Sequence, residues 1–91
     1  MWTVKLLPRA VQQLDGLPDR ARESCLDLID DLRHGDFWAD TVPLRDYRTF
    51  ERTRVGAYRV IYRVNRSSKR VLITRIAKRD EKTYRGFNPG A

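Results

Sequence analysis

Among the residues able to do chemistry in this chain, the arginines of the second half are set apart by their spacing: Arg52, Arg54, Arg59, Arg63, Arg75, Arg79 and Arg85, accompanied by Lys78 and Tyr84. A guanidinium is planar, stays charged at any physiological pH and can grip a phosphate with two parallel N–H groups, so several on one surface suit the binding of a phosphodiester. The stretch Phe50-Glu51-Arg52-Thr53-Arg54-Val55-Gly56-Ala57-Tyr58-Arg59-Val60-Ile61-Tyr62 places Gly56 and Ala57 at the tip of a hairpin. Arg54 then lies opposite Arg59 and Arg52 opposite Ile61, and the strand period of two puts these four on one face, continued by Arg63. Like charges directly opposed weaken a sheet, so the Arg54–Arg59 pair is a local cost that an arriving anion would relieve. On a later strand Arg75 and Arg79 alternate about Ala77, and Lys78-Arg79-Asp80 closes it. Tyr84 beside Arg85 suits stacking on a base while guanidinium groups hold phosphates.

Other site chemistries find little support. His34 is the sole histidine and sits before Gly35 at the end of a helical pattern, where a positive group complements the helix dipole. Cys25 is the sole cysteine and falls on an apolar helical stripe, which fits a small core residue and excludes a disulfide framework or thiolate metal cluster. There is no glycine-rich phosphate loop, and the carboxylates lack metal-ligand spacing, so no cofactor and no metal are expected.

The charge distribution agrees with an anionic partner. The net charge is +7, but residues 1–44 hold 5 basic and 8 acidic groups whereas residues 45–91 hold 14 basic and 4 acidic. Eleven of those 14 are arginine, a bias toward phosphate recognition rather than plain solubility. With 91 residues, 41% of them hydrophobic, the chain reads as a single domain over 1–91 with one small core. No apolar run approaches the length of a membrane span and no signal peptide is evident, so a cytoplasmic protein without membrane contact is expected.

The elements that must position the arginines follow from periodicity. Trp2 to Leu7 alternates and stops at Pro8, a short first strand. Pro8 opens a helix carrying Ala10, Val11 and Leu14 on one side, with Gly16 as its stop. Asp19 is the expected N-cap of a second helix, whose Ala21, Cys25, Leu28, Ile29 and Leu32 keep the 3.6-residue period up to Gly35, giving an antiparallel helical hairpin. Residues 36–43 read as a loop whose Phe37 and Trp38 cover an edge of the core. Strands are expected over Phe50–Val55, Ala57–Val64 and Val71–Ala77, with Tyr58, Val60, Tyr62 and Val64 facing the helices. The fold class is α+β: an N-terminal strand and a helical hairpin packed on a small antiparallel β-sheet.

At these residues the chain resembles the RelE/ParE superfamily of type II toxins. The likeness runs from about Val4 to Arg85, with its most specific stretch over Arg52–Tyr62, followed by Ile76-Ala77-Lys78-Arg79 and Tyr84-Arg85. The resemblance implies a RelE-like fold and a toxin that acts as a ribosome-dependent endoribonuclease, or mRNA interferase, inhibiting translation. Its reaction uses the 2′-hydroxyl of the substrate as nucleophile and needs no metal. The implied partners are mRNA on the ribosome and a cognate RelB-like antitoxin, held in a toxin–antitoxin hetero-oligomer. Carried over, Arg52 and Arg54 fill two basic positions that are often lysine, Arg59 steadies the scissile phosphate, Arg79 lies near the leaving group and Tyr84 helps hold the nucleotide. Arg63, Arg75, Lys78 and Arg85 supplement that catalytic set as RNA-binding residues. Arginine is a poor proton acceptor, so the general base is unassigned. The alternative is a ParE-like toxin that inhibits DNA gyrase by binding, without nuclease activity.

Overall fold

Among the described residues seven elements follow one another in the order β1 (Thr3–Leu6), α1 (Pro8–Asp15), α2 (Asp19–Arg33), β2 (Val42–Leu44), β3 (Tyr47–Val55), β4 (Tyr58–Asn65) and β5 (Arg70–Lys78). They are seen in a computed structural model that describes residues 1–38, 41–44 and 47–78. The strands form one five-stranded sheet in the order β1-β5-β4-β3-β2. All neighbours are antiparallel except β1 and β5, which run parallel. Two features of the sheet's pairing are not expected from the sequence. The first strand joins the sheet in parallel with the last, and Val42–Leu44, expected within or just after a loop, pairs with β3. Pro43 is tolerated there because β2 is an edge strand, where a missing N–H need not break a ladder.

The helices cover one face of this sheet. Cys25, Leu28, Ile29 and Leu32 recur at helical spacing along α2, and with Ala10 and Leu14 of α1 they pack on Val55, Val60, Tyr62, Val64, Val71, Ile73 and Ile76. Leu28 and Leu32 are fully buried, each contributing about 1.5–3 kcal/mol through apolar burial. Val11, expected on the inner side of α1, is instead 42% exposed. Pro18 rather than Asp19 occupies the N-cap of α2, and Asp19 begins the helix and pairs with Arg22 at 2.6 Å. The expected strand at Ala57 begins one residue later at Tyr58, because Gly56 and Ala57 form the turn. Among the described residues no helix is long and apolar enough to cross a membrane.

The aromatics of the 36–43 segment do close a core edge. The Trp2 N–H donates to the Arg33 carbonyl at 2.7 Å, and the Trp2 ring meets Phe37 edge-on at 5.3 Å. Phe37 in turn lies 6.4 Å from the Tyr62 ring, while Trp38 donates its indole N–H to Asp31 at 2.8 Å. Gly35 is required in this corner: its φ is +76°, and a Cβ there would fall 2.7 Å from the Trp2 indole nitrogen. The sheet edge past β1 is closed by side-chain capture, since Gln13 of α1 accepts the Ile76 N–H at 2.7 Å.

Candidate active site

The β3–β4 hairpin sets the site. Val55 pairs with Tyr58, leaving Gly56 and Ala57 as a two-residue loop, and the positive φ of Gly56 (+57°) is what the first position of a type II′ turn requires. This turn fixes the register, so Arg54 stands opposite Arg59, Arg52 opposite Ile61 and Phe50 opposite Arg63. Across the next ladder Arg59 pairs with Ala77 and Ile61 with Arg75. Alternation carries Glu51, Thr53, Val60 and Tyr62 to the helix side, so Arg52, Arg54, Arg59, Arg63 and Arg75 share the face that the helices leave uncovered.

That face has an apolar floor. Leu44, Phe50 and Ile61 form a small buried cluster separate from the main core, and Ile61, with no exposure, sits in register between Arg52 and Arg75. Arg52, Arg59 and Arg75 are half-buried and Arg54 and Arg63 exposed, as expected when aliphatic stems lie along an apolar surface and the charged heads reach out. The Nε atoms of Arg59 and Arg75 are shut off from solvent, and that of Arg75 makes no hydrogen bond among the described residues. Among those residues no carboxylate lies on this face of the sheet. The nearest in sequence, Glu51, points to the helix side and is taken up by Arg66 at 2.7 Å. The Glu51 contact holds the Arg66 proton more tightly than usual, and the same guanidinium lies 5.3 Å above the Phe37 ring. Such a surface can gather the charge of a phosphodiester and stabilise more of it as a reaction proceeds.

The strand carrying Arg52 and Arg54 is braced from behind. The Thr53 hydroxyl meets the Tyr62 hydroxyl at 2.6 Å and that of Thr41 at 2.7 Å, and Tyr62 donates to Thr41 at 3.2 Å. Each outward arginine is thus flanked by an inward residue with a hydrogen-bonded or well-packed side chain, which limits rotation of β3.

Of the residues singled out from the sequence, Arg52, Arg54, Arg59, Arg63 and Arg75 come together on one face. Lys78 does not join them, because its pairing with Tyr58 puts it on the opposite face at the end of β5. Arg79, Tyr84 and Arg85 lie outside the described residues. His34 caps α2, with Nδ1–H donating to the Asp30 carbonyl at 2.8 Å, and Cys25 is a core residue whose thiol pKa burial pushes up to about 11. Among the described residues there is no cluster of three or more His, Cys, Asp or Glu able to hold a metal ion.

Two basic residues that the sequence reading did not select, Lys5 and Arg70, also reach the uncovered face. Strict alternation along β5 would oppose Arg70 and Leu72 to Arg75 and Ala77. The ladder instead shifts register, with Ile61 facing Arg75 and Tyr62 facing Ile73, so that Thr74 is an extra residue whose hydroxyl donates to the Ile61 carbonyl at 3.2 Å. This bulge resets the phase and brings Arg70 to the same face as Arg75, while parallel pairing brings Lys5 beside Leu72.

No protein-family sequence model matches the chain, and no curated protein sequence matches it. Solved structures do match. The chain is similar to the archaeal RelE–RelB complex of Pyrococcus horikoshii at 27% identity, covering 88% of this chain and 97% of that one with a TM-score of 0.77. It is similar to the RelBE2 toxin–antitoxin complex of Mycobacterium tuberculosis at 28% identity, with 86% and 98% covered and a TM-score of 0.71. It also matches a YoeB/ParE toxin from Agrobacterium tumefaciens at 19% identity, with 86% and 99% covered and a TM-score of 0.71. The chain therefore has a RelE-like toxin fold.

Proposed function

We propose that this protein, with its RelE-like fold, is the toxin of a type II toxin–antitoxin system and a ribosome-dependent endoribonuclease that cuts mRNA. The observation that carries this reading is the convergence of Arg52, Arg54 and Arg59 from two adjacent strands on the uncovered face, with Arg54 directly opposite Arg59. Similarity to RelE–RelB and RelBE2 complexes supports a toxin with an antitoxin partner. In the reaction the 2′-hydroxyl of the substrate attacks the adjacent phosphorus, the bond to the 5′-oxygen of the next nucleotide breaks, and a 2′,3′-cyclic phosphate and a 5′-hydroxyl result. Arg59 and the Arg52–Arg54 pair offset the negative charge that builds on the non-bridging oxygens as the fifth bond forms. These guanidiniums cannot accept the 2′-hydroxyl proton, so they act by charge and positioning; that proton goes to an acceptor outside this set, and the departing 5′-oxygen takes one proton from water to become the 5′-hydroxyl. Arg79, Tyr84 and Arg85 are proposed to complete the site from the C-terminal segment, as the family pattern implies. No metal step is required, and work on the ribosome places the protein in the cytoplasm.

Induction of the protein followed by mapping of mRNA 5′ ends tests the proposal. New ends clustered within translated regions, absent when ribosomes are kept off the message, are expected. The match to a YoeB/ParE toxin keeps one second reading open. Growth arrest without new mRNA ends, together with inhibited gyrase supercoiling, would replace the nuclease by that ParE-like activity.

A further inference from the structure

The uncovered face holds a second basic centre, removed from the Arg52–Arg54–Arg59 group. A cavity of about 480 Å³ opens there, lined by Thr3, Lys5, Arg63, Asn65, Arg70 and Leu72. Its geometry follows from the ladders: Thr3, Arg70 and Asn65 form one row across β1, β5 and β4, and Lys5, Leu72 and Arg63 form the next. Strand spacing sets Lys5 and Arg63 about 10 Å apart at the backbone, with Arg70 in the neighbouring row about 7 Å along the strands. Three exposed cations thus surround a half-buried leucine, and among the described residues none of the three forms an ion pair. Gathering them costs repulsion that nothing described within the domain offsets. The Thr74 bulge is what puts Arg70 there, since without it Arg70 would fall on the helix side.

We infer that this cavity is a second RNA subsite, which takes a phosphate and its nucleotide from the same strand whose scissile phosphate lies at Arg59. The inference rests on the nuclease reading of the arginine face and deepens it. Lys5, Arg63 and Arg70 hold the phosphate, Asn65 and Thr3 supply hydrogen-bonding groups, and Leu72 offers an apolar surface to a base or ribose. The volume lies in the range of ligand sites and exceeds what a lone carboxylate would fill. Continuity favours a polynucleotide: Arg59 and Arg63 lie on the same face of β4, four residues or about 13 Å apart, a span that one strand of a few nucleotides bridges.

The experiment measures fluorescence anisotropy of labelled single-stranded RNA with the purified full chain, off the ribosome, from about 50 to about 200 mM salt. It uses one oligonucleotide too short to reach both centres and one long enough to do so. Lys5→Gln and Arg70→Gln are made singly and together, beside Arg59→Ala, and folding is verified by thermal melting. The combined variant should bind the long RNA roughly tenfold more weakly, with the slope of log affinity against log salt reduced by about 1.4, while binding of the short RNA stays within about twofold. Arg59→Ala should weaken both. If the combined variant binds long RNA with the parental affinity and slope while Arg59→Ala does not, the second subsite is wrong and the arginine-face site stands. If Arg59→Ala is harmless while the combined variant is impaired, the arginine-face site fails and the cavity stands. Loss of antitoxin copurification with RNA binding intact would assign the cavity to a carboxylate of the antitoxin and overturn the inference. Should the combined variant not fold, Lys5→Gln alone decides, through a slope change of about 0.7 or none.

Discussion

Replacing Arg59 by alanine separates stability from catalysis more cleanly than any other single change. Arg59 faces Arg54 across an antiparallel ladder, so their Cβ atoms lie about 5 Å apart, with Arg54 exposed and Arg59 half-buried. In water two unit charges at 4 Å repel by about 1 kcal/mol, and the greater reach and salt screening of guanidiniums reduce the relief on removal to roughly 0.5 kcal/mol. Against that stands the packing of the half-buried stem, about 0.5–1 kcal/mol. The two nearly cancel, so Tm should move by less than about 5 °C. Loss of a charge partner in the transition state is a far larger effect, about 2.7–4 kcal/mol or 100- to 1,000-fold in rate. Cleavage of mRNA on purified ribosomes, followed by primer extension in single turnover, reads this directly. Arg59→Lys should recover only part of the rate, since a point charge replaces a planar fork. A folded Arg59→Ala protein that cuts at close to the parental rate would refute the arginine-face mechanism.

Three further outcomes concern the scaffold. Tyr62→Phe removes the hydroxyl that meets Thr53 and Thr41 but leaves those two bonded at 2.7 Å, so it should cost about 1 kcal/mol and about 4–8 °C in Tm; an unchanged melting curve would show that the hydroxyl does not brace β3. Arg66→Ala deprives the buried Glu51 of its partner and should cost about 1–2 kcal/mol, kept at the low end because Arg66 is largely exposed, and adding Glu51→Gln should restore part of it in urea titrations. The Cys25 thiol, raised to about 11 from 9.0, adds stability that is complete below pH 9 and lost as pH rises through 11, since only the unfolded chain ionises early. Urea denaturation should show a loss on the order of 2–3 kcal/mol across that window that Cys25→Ala lacks, and thiol reagents at neutral pH should label Cys25 only after unfolding.

How much of this was legible in the sequence depended on how local the determining contact was. The Arg54–Arg59 and Arg52–Ile61 pairings could be read because a two-residue turn at Gly56-Ala57 fixes the register within a dozen residues. The inward set of Val60, Tyr62 and Val64 and the helical stripe of Cys25, Leu28, Ile29 and Leu32 could be read for the same reason. The parallel pairing of β1 with β5 could not, because it joins residues more than sixty positions apart and leaves no local mark. Nor could the strand at Val42–Leu44, where Pro43 signals a loop and only the vacant edge of β3 makes pairing favourable. Arg70 was hidden by the bulge, since a period of two carried backwards from Arg75 assigns it to the wrong face.

The bulge also explains how one strand serves two demands. β5 must present Val71, Ile73 and Ile76 to the helices, a spacing of two and then three that no regular strand can keep on one side. Inserting Thr74 solves that problem for the core, and its hydroxyl meets the Ile61 carbonyl inside the ladder. The same insertion necessarily keeps Arg70 and Leu72 in phase with Arg75 and Ala77 on the outer side. Core packing and the gathering of positive charge are therefore one geometric fact read from two faces. A change that restored regular alternation in β5 would drive Val71 and Ile73 outward or Ile76 away from the helices, so the basic surface could not be rearranged there without dismantling the core.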